Sequence, residues 1–183
     1  MNSIEIKEIF STQIEQYKMF LAIALQSDEE SLLITTMDNS SAPFPTKDRN
    51  DSFTLGAYAE NVLAGVVSFA RDGEDREKLR HKGILFTMYV SKEFRGHGIA
   101  KELLKELIKK VKTISDIEQI NLVVIANNSR AKQFYKTSKG ADITDSLSDK
   151  QAKELEKLAS EPDEKDTMTL KEFNKATDKW RTK

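Results

Sequence analysis

The chain has 183 residues, a formal net charge of −1 at pH 7 and no cysteine. Its length suits one domain with a sizeable core, so we expect a single domain over residues 1–183. Charged residues make up 32% of the chain with both signs mixed, which argues against nucleic acid as a partner. The lack of cysteine excludes disulfide bonds, thiolate metal sites and a cysteine nucleophile from these residues.

The sequence predicts neither a signal peptide nor a membrane anchor. No charged stretch followed by a short apolar one opens the chain, and no apolar run approaches the roughly 18 residues of a membrane-spanning helix. We therefore expect a cytoplasmic protein that does not bind a membrane.

A strand and then a helix are predicted at the start of the chain. In residues 1–10 isoleucine alternates with charged residues, as in a strand with one buried face. Ser11 or Thr12 can cap the helix that follows, with Glu15 as the partner in a capping box. The apolar stripe of this helix continues to about Leu25.

Residues 27–51 show no clear periodicity. Loop signals at residues 38–41 and 43–45 predict an irregular segment. Long irregular segments in compact domains are often functional, and a solvated surface loop is an equally good interpretation. Both remain open from the sequence.

A β-hairpin is predicted next. Residues 52–59 and 62–70 are strand-like runs, and the Glu-Asn pair at 60–61 is typical of a tight hairpin turn. The highly charged connection at 71–80 is predicted to be a solvated face, and His81 begins the following strand.

The most informative stretch is a strand, a turn and a helix in the middle of the chain. Residues 84–90 are apolar on both alternating faces, as in a strand that is buried on both sides. Residues 99–114 then carry apolar side chains at helical spacing. No Ser, Thr, Asp or Asn directly precedes this helix, and a Gly-His-Gly sequence at 96–98 stands there instead.

The turn at 96–98 has two interpretations. Backbone N–H groups in the first turn of a helix lack intrahelical partners, and the helix dipole favours an anion there. Glycines lack the Cβ atom that would hold a phosphate away and they allow positive φ, so this turn can bind a pyrophosphate. A tight strand-to-helix turn that binds nothing explains the same residues.

A second strand and helix are predicted downstream. Residues 119–126 form a nearly continuous apolar run, and the helix after it ends at Gly140. A right-handed crossover then joins this strand to the central one, so the two should be parallel. A ligand is expected at their carboxyl ends, where Val90, Gly96 and Asn128 come together.

The last part of the chain is predicted to add a short helix at residues 148–160 and a strand at 167–173. The basic tail at 174–183 contains Trp180, the only tryptophan. We expect this tail to be loose, or to pack against the core or against a second subunit in a homodimer.

Two motifs resemble those of a known family. Residues 95–100, Arg-Gly-His-Gly-Ile-Ala, match the R/Q-x-x-G-x-G/A signature of the GNAT superfamily of N-acetyltransferases. Residues 128–135 match its downstream N-x-x-A-x-x-[LF]-Y pattern. Both motifs stand in the order and at the separation that the family has, and the resemblance covers residues 52–141. Beyond Ala141, which stands where an aromatic residue is usual, it weakens.

The resemblance implies the fold and the chemistry. The fold would be mixed α/β with three layers, α/β/α, and its central twisted mixed sheet would splay between two parallel strands. Acetyl-CoA would be the cosubstrate, with its pantetheine arm in that gap, and no metal would take part. The activity would be direct transfer of an acetyl group to a primary amine of a small molecule or peptide.

The resemblance also implies which residues bind the cofactor. Backbone atoms of the central strand would contact pantetheine, and the turn with the first helical residues would contact the pyrophosphate. Arg95 can instead be a surface charge, and Asn128 can be a helix cap, a cofactor contact or both. The implied cofactor-binding residues are Met88, Tyr89, Val90, Arg95, Gly96, His97, Gly98, Ile99, Ala100, Lys101 and Asn128.

Tyr135 is the predicted catalytic residue. The resemblance implies that its phenol gives a proton to the departing thiolate, as a general acid. A tyrosine beside Phe134 can also be ordinary core with a satisfied hydroxyl. The general base is not identified, because residues 83–90 contain no carboxylate. His81 and Glu60 are candidates that would act through water.

The sequence leaves two alternatives to an active acetyltransferase. A catalytically inactive acyl-CoA-binding sensor or regulatory domain would keep the same cofactor cleft. A P-loop or dinucleotide-binding protein is disfavoured, because the glycine motif lacks both the Gly-Lys-Ser/Thr ending and a third glycine.

Overall fold

In the described part of the chain, five strands form one mixed sheet with helices on both faces. The computed structural model describes residues 4–46, 48–72, 77–122, 124–125 and 128–138. The strands are β1 (Ile4–Ile9), β2 (Ser52–Ala59), β3 (Val62–Arg71), β4 (Lys82–Val90) and β5 (Gln119–Leu122). The α-helices are α1 (Ile14–Asp28), α2 (Thr36–Ser41), α3 (Ile99–Val111) and α4 (Ser129–Ser138). The predicted mixed α/β class is confirmed.

The first four strands form an antiparallel meander in the order β1-β2-β3-β4. Glu60 and Asn61 connect β2 to β3, and both have positive φ, 50° and 67°. Positive φ at both central residues is the type I′ geometry, whose twist matches that of the flanking strands. The predicted hairpin is confirmed.

β5 pairs with β4 in parallel, as expected for a crossover through α3. Within the part of the chain that the structure describes, the pairing covers Lys82–Leu85 of β4 and Gln119–Leu122 of β5. β4 continues to Val90 without β5 beside it, so the two strands separate toward their carboxyl ends. The predicted strand at 119–126 is therefore too long, because residues 124–125 have already left the ladder.

Two hydrophobic cores lie on opposite faces of the sheet. α3 covers one face and α1 covers the other. Phe53 and Phe69 are fully buried in the core that contains α3, with ring centroids 5.4 Å apart. In the core that contains α1, Phe20 packs edge-on against Tyr89 with centroids 5.9 Å apart. The sheet is thus the middle layer of an α/β/α arrangement.

α1 begins later than the sequence predicts. A 3₁₀ turn spans Ser11–Gln13, and α1 starts at Ile14 with no side-chain cap. The predicted capping box at residues 11–15 is wrong. The side chain of Gln13 instead reaches back and accepts a hydrogen bond from the N–H of Phe10 at 3.1 Å.

Residues 38–41, predicted to be loop, belong to α2. The hydroxyl of Thr35 accepts from the N–H of Asp38 at 3.2 Å, and the Asp38 carboxylate accepts from the N–H of Thr35 at 2.8 Å. This capping box offsets the low helix propensity of the Asp-Asn-Ser-Ser sequence. Asn39 is buried, and its side-chain amide donates to the carbonyl of Lys18 at 2.9 Å, which joins α2 to α1.

Arg71, which is predicted to lie in the solvated connection at 71–80, is instead the last residue of β3 and is buried. The side chain of Arg71 is 5% exposed and pairs with Asp51 at 2.9 Å and Asp116 at 2.6 Å. It also donates to the carbonyl of Arg80. A buried guanidinium needs such partners. Arg71 therefore fastens together the segments at the end of the sheet opposite Val90.

Several predictions lie outside the described residues. They are the end of α4 at Gly140, the helix at 148–160, the strand at 167–173 and the tail at 174–183. A single domain over residues 1–183 and a homodimer therefore stay predictions. Within the described residues, no helix is long and apolar enough to cross a membrane.

Gly83 lies against the ring of Phe69, and a Cβ added there would stand 2.2 Å from the Cζ atom of that ring. Gly83→Ala should therefore lower the free energy of unfolding by about 1–3 kcal/mol, as overpacked cores do. Urea denaturation measures the loss. Phe69→Leu removes the obstructing ring. The double variant Gly83→Ala with Phe69→Leu should therefore lose less stability than the sum of the losses in the two single variants. Strict additivity would contradict the steric explanation.

Candidate functional site

The turn between β4 and α3 contains a run of backbone amides for which the described part of the chain has no acceptors. The N–H of Arg95 donates to the carbonyl of Lys92 at 3.3 Å, in the short 3₁₀ turn after β4. The first hydrogen bond of α3 runs from the N–H of Glu102 to the carbonyl of Gly98 at 3.1 Å. Between them, the N–H groups of residues 96–101 have no acceptor among the described residues, and no side chain caps the helix.

Two glycines give this turn its shape. Gly96 and Gly98 have φ of 83° and 78°, in the left-handed region that residues with a Cβ avoid. A Cβ added at either position would meet nothing within 4 Å. The backbone conformation therefore requires these glycines, and the space beside them is open.

The other residues of the turn divide between core and surface. Ile99 is 2% exposed and anchors the first turn of α3 in the core. His97 is exposed, with its Nδ1 3.3 Å from the carbonyl oxygen of Phe94. Ala100 is half-buried and Lys101 is exposed. An anion at this turn would meet main-chain N–H groups and the positive end of the helix dipole.

β4 contains a bulge beside the gap, which is the space along residues 86–90 of β4 where β5 no longer pairs with it. The register between β3 and β4 shifts between Val66 and Ser68, so two residues of β4 oppose one residue of β3. Thr87, in the bulge, has φ of 49°, which is strained for a β-branched residue. Because the extra residue shifts the alternation, Met88 lies on the α3 face and Tyr89 on the α1 face.

Val90 presents its backbone to the gap. The N–H of Ser91 donates to the carbonyl of Ala64 at 3.0 Å, so Val90 and its partner Gly65 form a non-hydrogen-bonded pair of the antiparallel ladder. The N–H and carbonyl of Val90 therefore point away from β3, toward the side where β5 has ended. Its carbonyl accepts from Nε of Arg95 at 2.9 Å. The N–H is the group that faces the gap.

Tyr135 reaches β4 from α4. Its hydroxyl donates to Sδ of Met88 at 3.1 Å, and its ring packs edge-on against Phe134 with centroids 5.2 Å apart. Burial raises the pKa of Tyr135 to about 12. The phenol is therefore protonated at neutral pH. It can donate a proton beside the edge of β4 that does not pair with β5.

Asn128 is the N-cap of α4. Its Oδ1 accepts from the N–H of Ala131 at 3.0 Å, and its carbonyl accepts from the N–H of Lys132 at 3.1 Å. The helix-cap interpretation is thus confirmed. A contact with the cofactor stays a prediction.

Arg95 is more than a surface charge. Its side chain is 23% exposed and pairs with Asp28, which is 13% exposed. The guanidinium lies 5.3 Å from the ring centroid of Tyr89. Burial raises the pKa of Asp28, but hydrogen bonds from Arg95 and Ser31 and the charges of Arg95 and Lys92 outweigh it and hold the pKa below its ordinary range. No sequence signal identifies Asp28, because two further acidic residues follow it as on any solvated face.

A row of buried hydroxyl groups lies beside the bulge. Oγ of Ser68 is 2.9 Å from Oγ1 of Thr54, which is 3.2 Å from Oγ1 of Thr46. Burial raises the pKa of Tyr17, although hydrogen bonds with Thr87 and Ser68 lower it. Sequence reasoning misses this row because its members are far apart in the chain.

Neither predicted general base lies on the part of β4 that borders the gap. His81 precedes β4, about 25–30 Å from Val90 at about 3.3 Å per residue. His81 is therefore too distant to act as the base through one water. Glu60 is exposed in the turn between β2 and β3 and stays a prediction. Among the described residues, no group of three or more His, Cys, Asp or Glu side chains could hold a metal ion.

A mixed sheet that opens between two parallel strands, with an uncapped glycine turn at the opening, is typical of α/β proteins that bind a phosphate-bearing cofactor. A family model described as the Acetyltransferase (GNAT) family matches residues 16–140. The chain belongs to this family, which confirms the resemblance of its two motifs. The family is one of acetyltransferases, and its cosubstrate is acetyl-CoA.

Solved structures support the fold. The chain is similar to the acetyltransferase of the GNAT family from Streptococcus pneumoniae, with 23% identity over 74% of this chain and 83% of that chain and a TM-score of 0.59. A GNAT acetyltransferase from Staphylococcus aureus Mu50 has 20% identity over 75% and 84%, with a TM-score of 0.59. Ribosomal-protein-alanine N-acetyltransferase from Brucella melitensis biovar Abortus 2308 has 25% identity over 74% and 89%, with a TM-score of 0.56. No curated protein sequence matches the chain.

The ionisation of Tyr135 is expected at a pH near 12, since burial disfavours the phenolate. The ¹³Cζ resonance that disappears in Tyr135→Phe identifies this residue in a pH titration by NMR. The folded state holds this proton through the range in which the unfolded tyrosine, with a pKa of about 10, loses it. The contribution to stability is therefore complete below pH 10 and is lost as the pH rises toward 12. A midpoint near 10 would contradict the buried placement.

Proposed function

We propose that this protein is an N-acetyltransferase that moves the acetyl group of acetyl-CoA directly to a primary amine of a small molecule or peptide. Membership of the acetyltransferase family supports the acetyl transfer. The observation that carries the cofactor assignment is the run of N–H groups at residues 96–101, which have no acceptor in the part of the chain that the structure describes.

The turn before α3 would hold the pyrophosphate. The N–H groups of residues 96–101 and the dipole of α3 favour a multiply charged anion. The open space beside Gly96 and Gly98 accommodates it without displacing a side chain. His97 contributes its amide, and Lys101 adds a positive charge.

The edge of β4 that does not pair with β5 would hold the pantetheine arm, through the backbone of Met88, Tyr89 and Val90. The N–H of Val90 points into the gap and can donate to a carbonyl oxygen there. Asn128, which starts the helix after β5, is a further contact in this proposal.

Acetyl-CoA, when bound, supplies an activated acetyl thioester. Tyr135 holds a proton at its hydroxyl beside Met88 and can give it to a departing thiolate, as a general acid. The N–H of Val90 can stabilise negative charge that develops on an oxygen in the gap. Direct transfer, without a covalent enzyme intermediate, agrees with a chain that has no cysteine nucleophile.

The acceptor is expected to be an amine that loses its proton readily, because β4 carries no carboxylate to act as a strong base beside the gap. An α-amine has a pKa of about 7.7–8.0, whereas a lysine side chain has a pKa of about 10.4. The name of one structural relative, ribosomal-protein-alanine N-acetyltransferase, supports transfer to nitrogen. We therefore place α-amines ahead of lysine side chains. An amine panel assayed by CoA release identifies the acceptor.

Gly98→Ala tests the cofactor site. In a thermal shift assay the wild type should be stabilised by acetyl-CoA and not by ATP or NAD, by about 2.7 kcal/mol at 100 times the Kd. Gly98→Ala should lose about 1–2 kcal/mol of stability from left-handed φ, and much of this ligand shift, because the turn would change its shape. Isothermal titration should show the Kd for acetyl-CoA raised by about tenfold.

Asn61→Ala is the matched control for that variant. Asn61 also has a left-handed φ, 67°, and it lies in the turn between β2 and β3. Its substitution should lower stability and leave the Kd unchanged. Equal Kd values in Gly98→Ala and the wild type would overturn the pyrophosphate assignment.

Tyr135→Phe tests the general acid. Loss of the proton donor should lower kcat by about 10²- to 10⁴-fold, with the Kd for acetyl-CoA within about twofold of the wild type. Steady-state kinetics and isothermal titration measure the two values. Tyr58→Phe, a half-buried tyrosine on β2, is the control and should retain full kcat.

The same measurements separate the enzyme from the alternative, a catalytically inactive acyl-CoA-binding sensor. Tight binding of acetyl-CoA without CoA release for any amine in the panel would favour the sensor. Turnover that is equal in Tyr135→Phe and the wild type would instead keep the enzyme and reject Tyr135 as its acid.

A further inference from the structure

A charged cluster joins the end of α1 to the turn after β4. Arg95 donates from Nε to the carbonyl of Val90 at 2.9 Å and from Nη2 to the carboxylate of Asp28, the last residue of α1. Lys92, in the same turn, donates to the carbonyl of Ser27. Two cations of one turn therefore bind the C-terminal end of one helix, where the helix dipole favours positive charge.

The guanidinium of Arg95 is already engaged on three sides. Two of its N–H groups have acceptors on different elements, and its plane lies 5.3 Å from the ring centroid of Tyr89. A planar fork that joins a carbonyl and a carboxylate fixes both in position, which a lysine ammonium cannot do with the same geometry. Arg95 therefore holds the end of β4 and the end of α1 in fixed positions beside the turn.

We propose that the Asp28–Arg95 pair is a positioning device that holds the pyrophosphate-binding turn and the carbonyl of Val90 against the end of α1. The inference rests on the proposed function, since it assigns a role toward acetyl-CoA. Arg95 acts here through Val90 and the turn, and does not itself contact the phosphates.

The pair also couples the cofactor site to α1. α1 packs on β4 through Phe20 and Tyr89 and is followed by α2, to which Asn39 and Lys18 connect it. A ligand that stabilises the turn should therefore also stabilise the end of α1, because the partly buried pair links the two. The segment after α1, which includes α2, would then be ordered when the cofactor is bound.

The sign of one substitution separates this role from direct anion binding. If Arg95 were a phosphate ligand, Asp28 would compete for it, and Asp28→Asn would tighten the binding of CoA. Removal of a negative charge near an anion site also favours the anion by simple electrostatics. If Arg95 positions the turn, Asp28→Asn releases it and weakens binding despite the favourable change in charge.

Isothermal titration with CoA at 25 °C is the test, on variants shown to be folded by their melting curves. Asp28→Asn and Arg95→Lys should each raise the Kd by about fivefold or more. Glu8→Gln is the matched control, because Glu8 and Lys110 form a pair that is also partly buried, 23% and 31% exposed, near the other end of α3. It should leave the Kd within about twofold of the wild type.

Hydrogen exchange gives a second readout that a merely structural pair would not move. CoA should slow exchange at the amides of residues 24–28 in the wild type and in Glu8→Gln, and not in Asp28→Asn. Should Asp28→Asn fail to fold, Asp28→Ser replaces it with the same expected results, because it also removes the carboxylate and keeps Arg95.

The outcomes are distinct. An unchanged or lower Kd in Asp28→Asn, or full affinity in Arg95→Lys, would overturn the positioning role while the wild type still binds CoA. A wild type that does not bind CoA would overturn the proposed function itself.

Discussion

The separation of β4 from β5 is the constraint on which the candidate site depends. Among the described residues, the two parallel strands pair as far as Leu85 and Leu122. An unpaired strand edge inside a domain has backbone groups that need partners, and here the carbonyl of Val90 finds one in Arg95. A ladder that continued to the end of β4 would fill this opening with a neighbouring strand. Because α3 starts just beyond the same end of β4, the unpaired strand and the uncapped helix belong to one site.

The bulge in β4 decides which side chains border the opening. One extra residue puts Met88 on the face where Tyr135 packs, and turns Tyr89 toward α1. A regular strand would reverse these two positions. The left-handed φ of Thr87 costs energy, and such strain persists only where the surroundings hold it. The packing of the next residue but one, Tyr89, against Phe20 of α1 is part of that support.

Two arginines do related work at opposite ends of the sheet. Arg71 joins Asp51, Asp116 and the carbonyl of Arg80 where β4 begins. Arg95 joins Asp28 and the carbonyl of Val90 where β4 ends. In both places a planar guanidinium with several donors connects groups from separate elements. Arg71 stabilises the fold far from the gap, and Arg95 lies at the gap itself.

The sequence by itself determined the order and type of the main elements, the hairpin turn at 60–61 and the glycine turn at 96–98, because periodicity and turn chemistry are local properties of the chain. It also identified the family through two motifs that lie on those elements. Only the tertiary structure decided where β5 leaves β4, how the bulge turns Met88 toward Tyr135, and what Arg71 and Arg95 bind. The partners Asp116 and Asp28 are 45 and 67 positions away from these arginines. Contacts at that separation depend on how the elements pack, and no local pattern of residues encodes them.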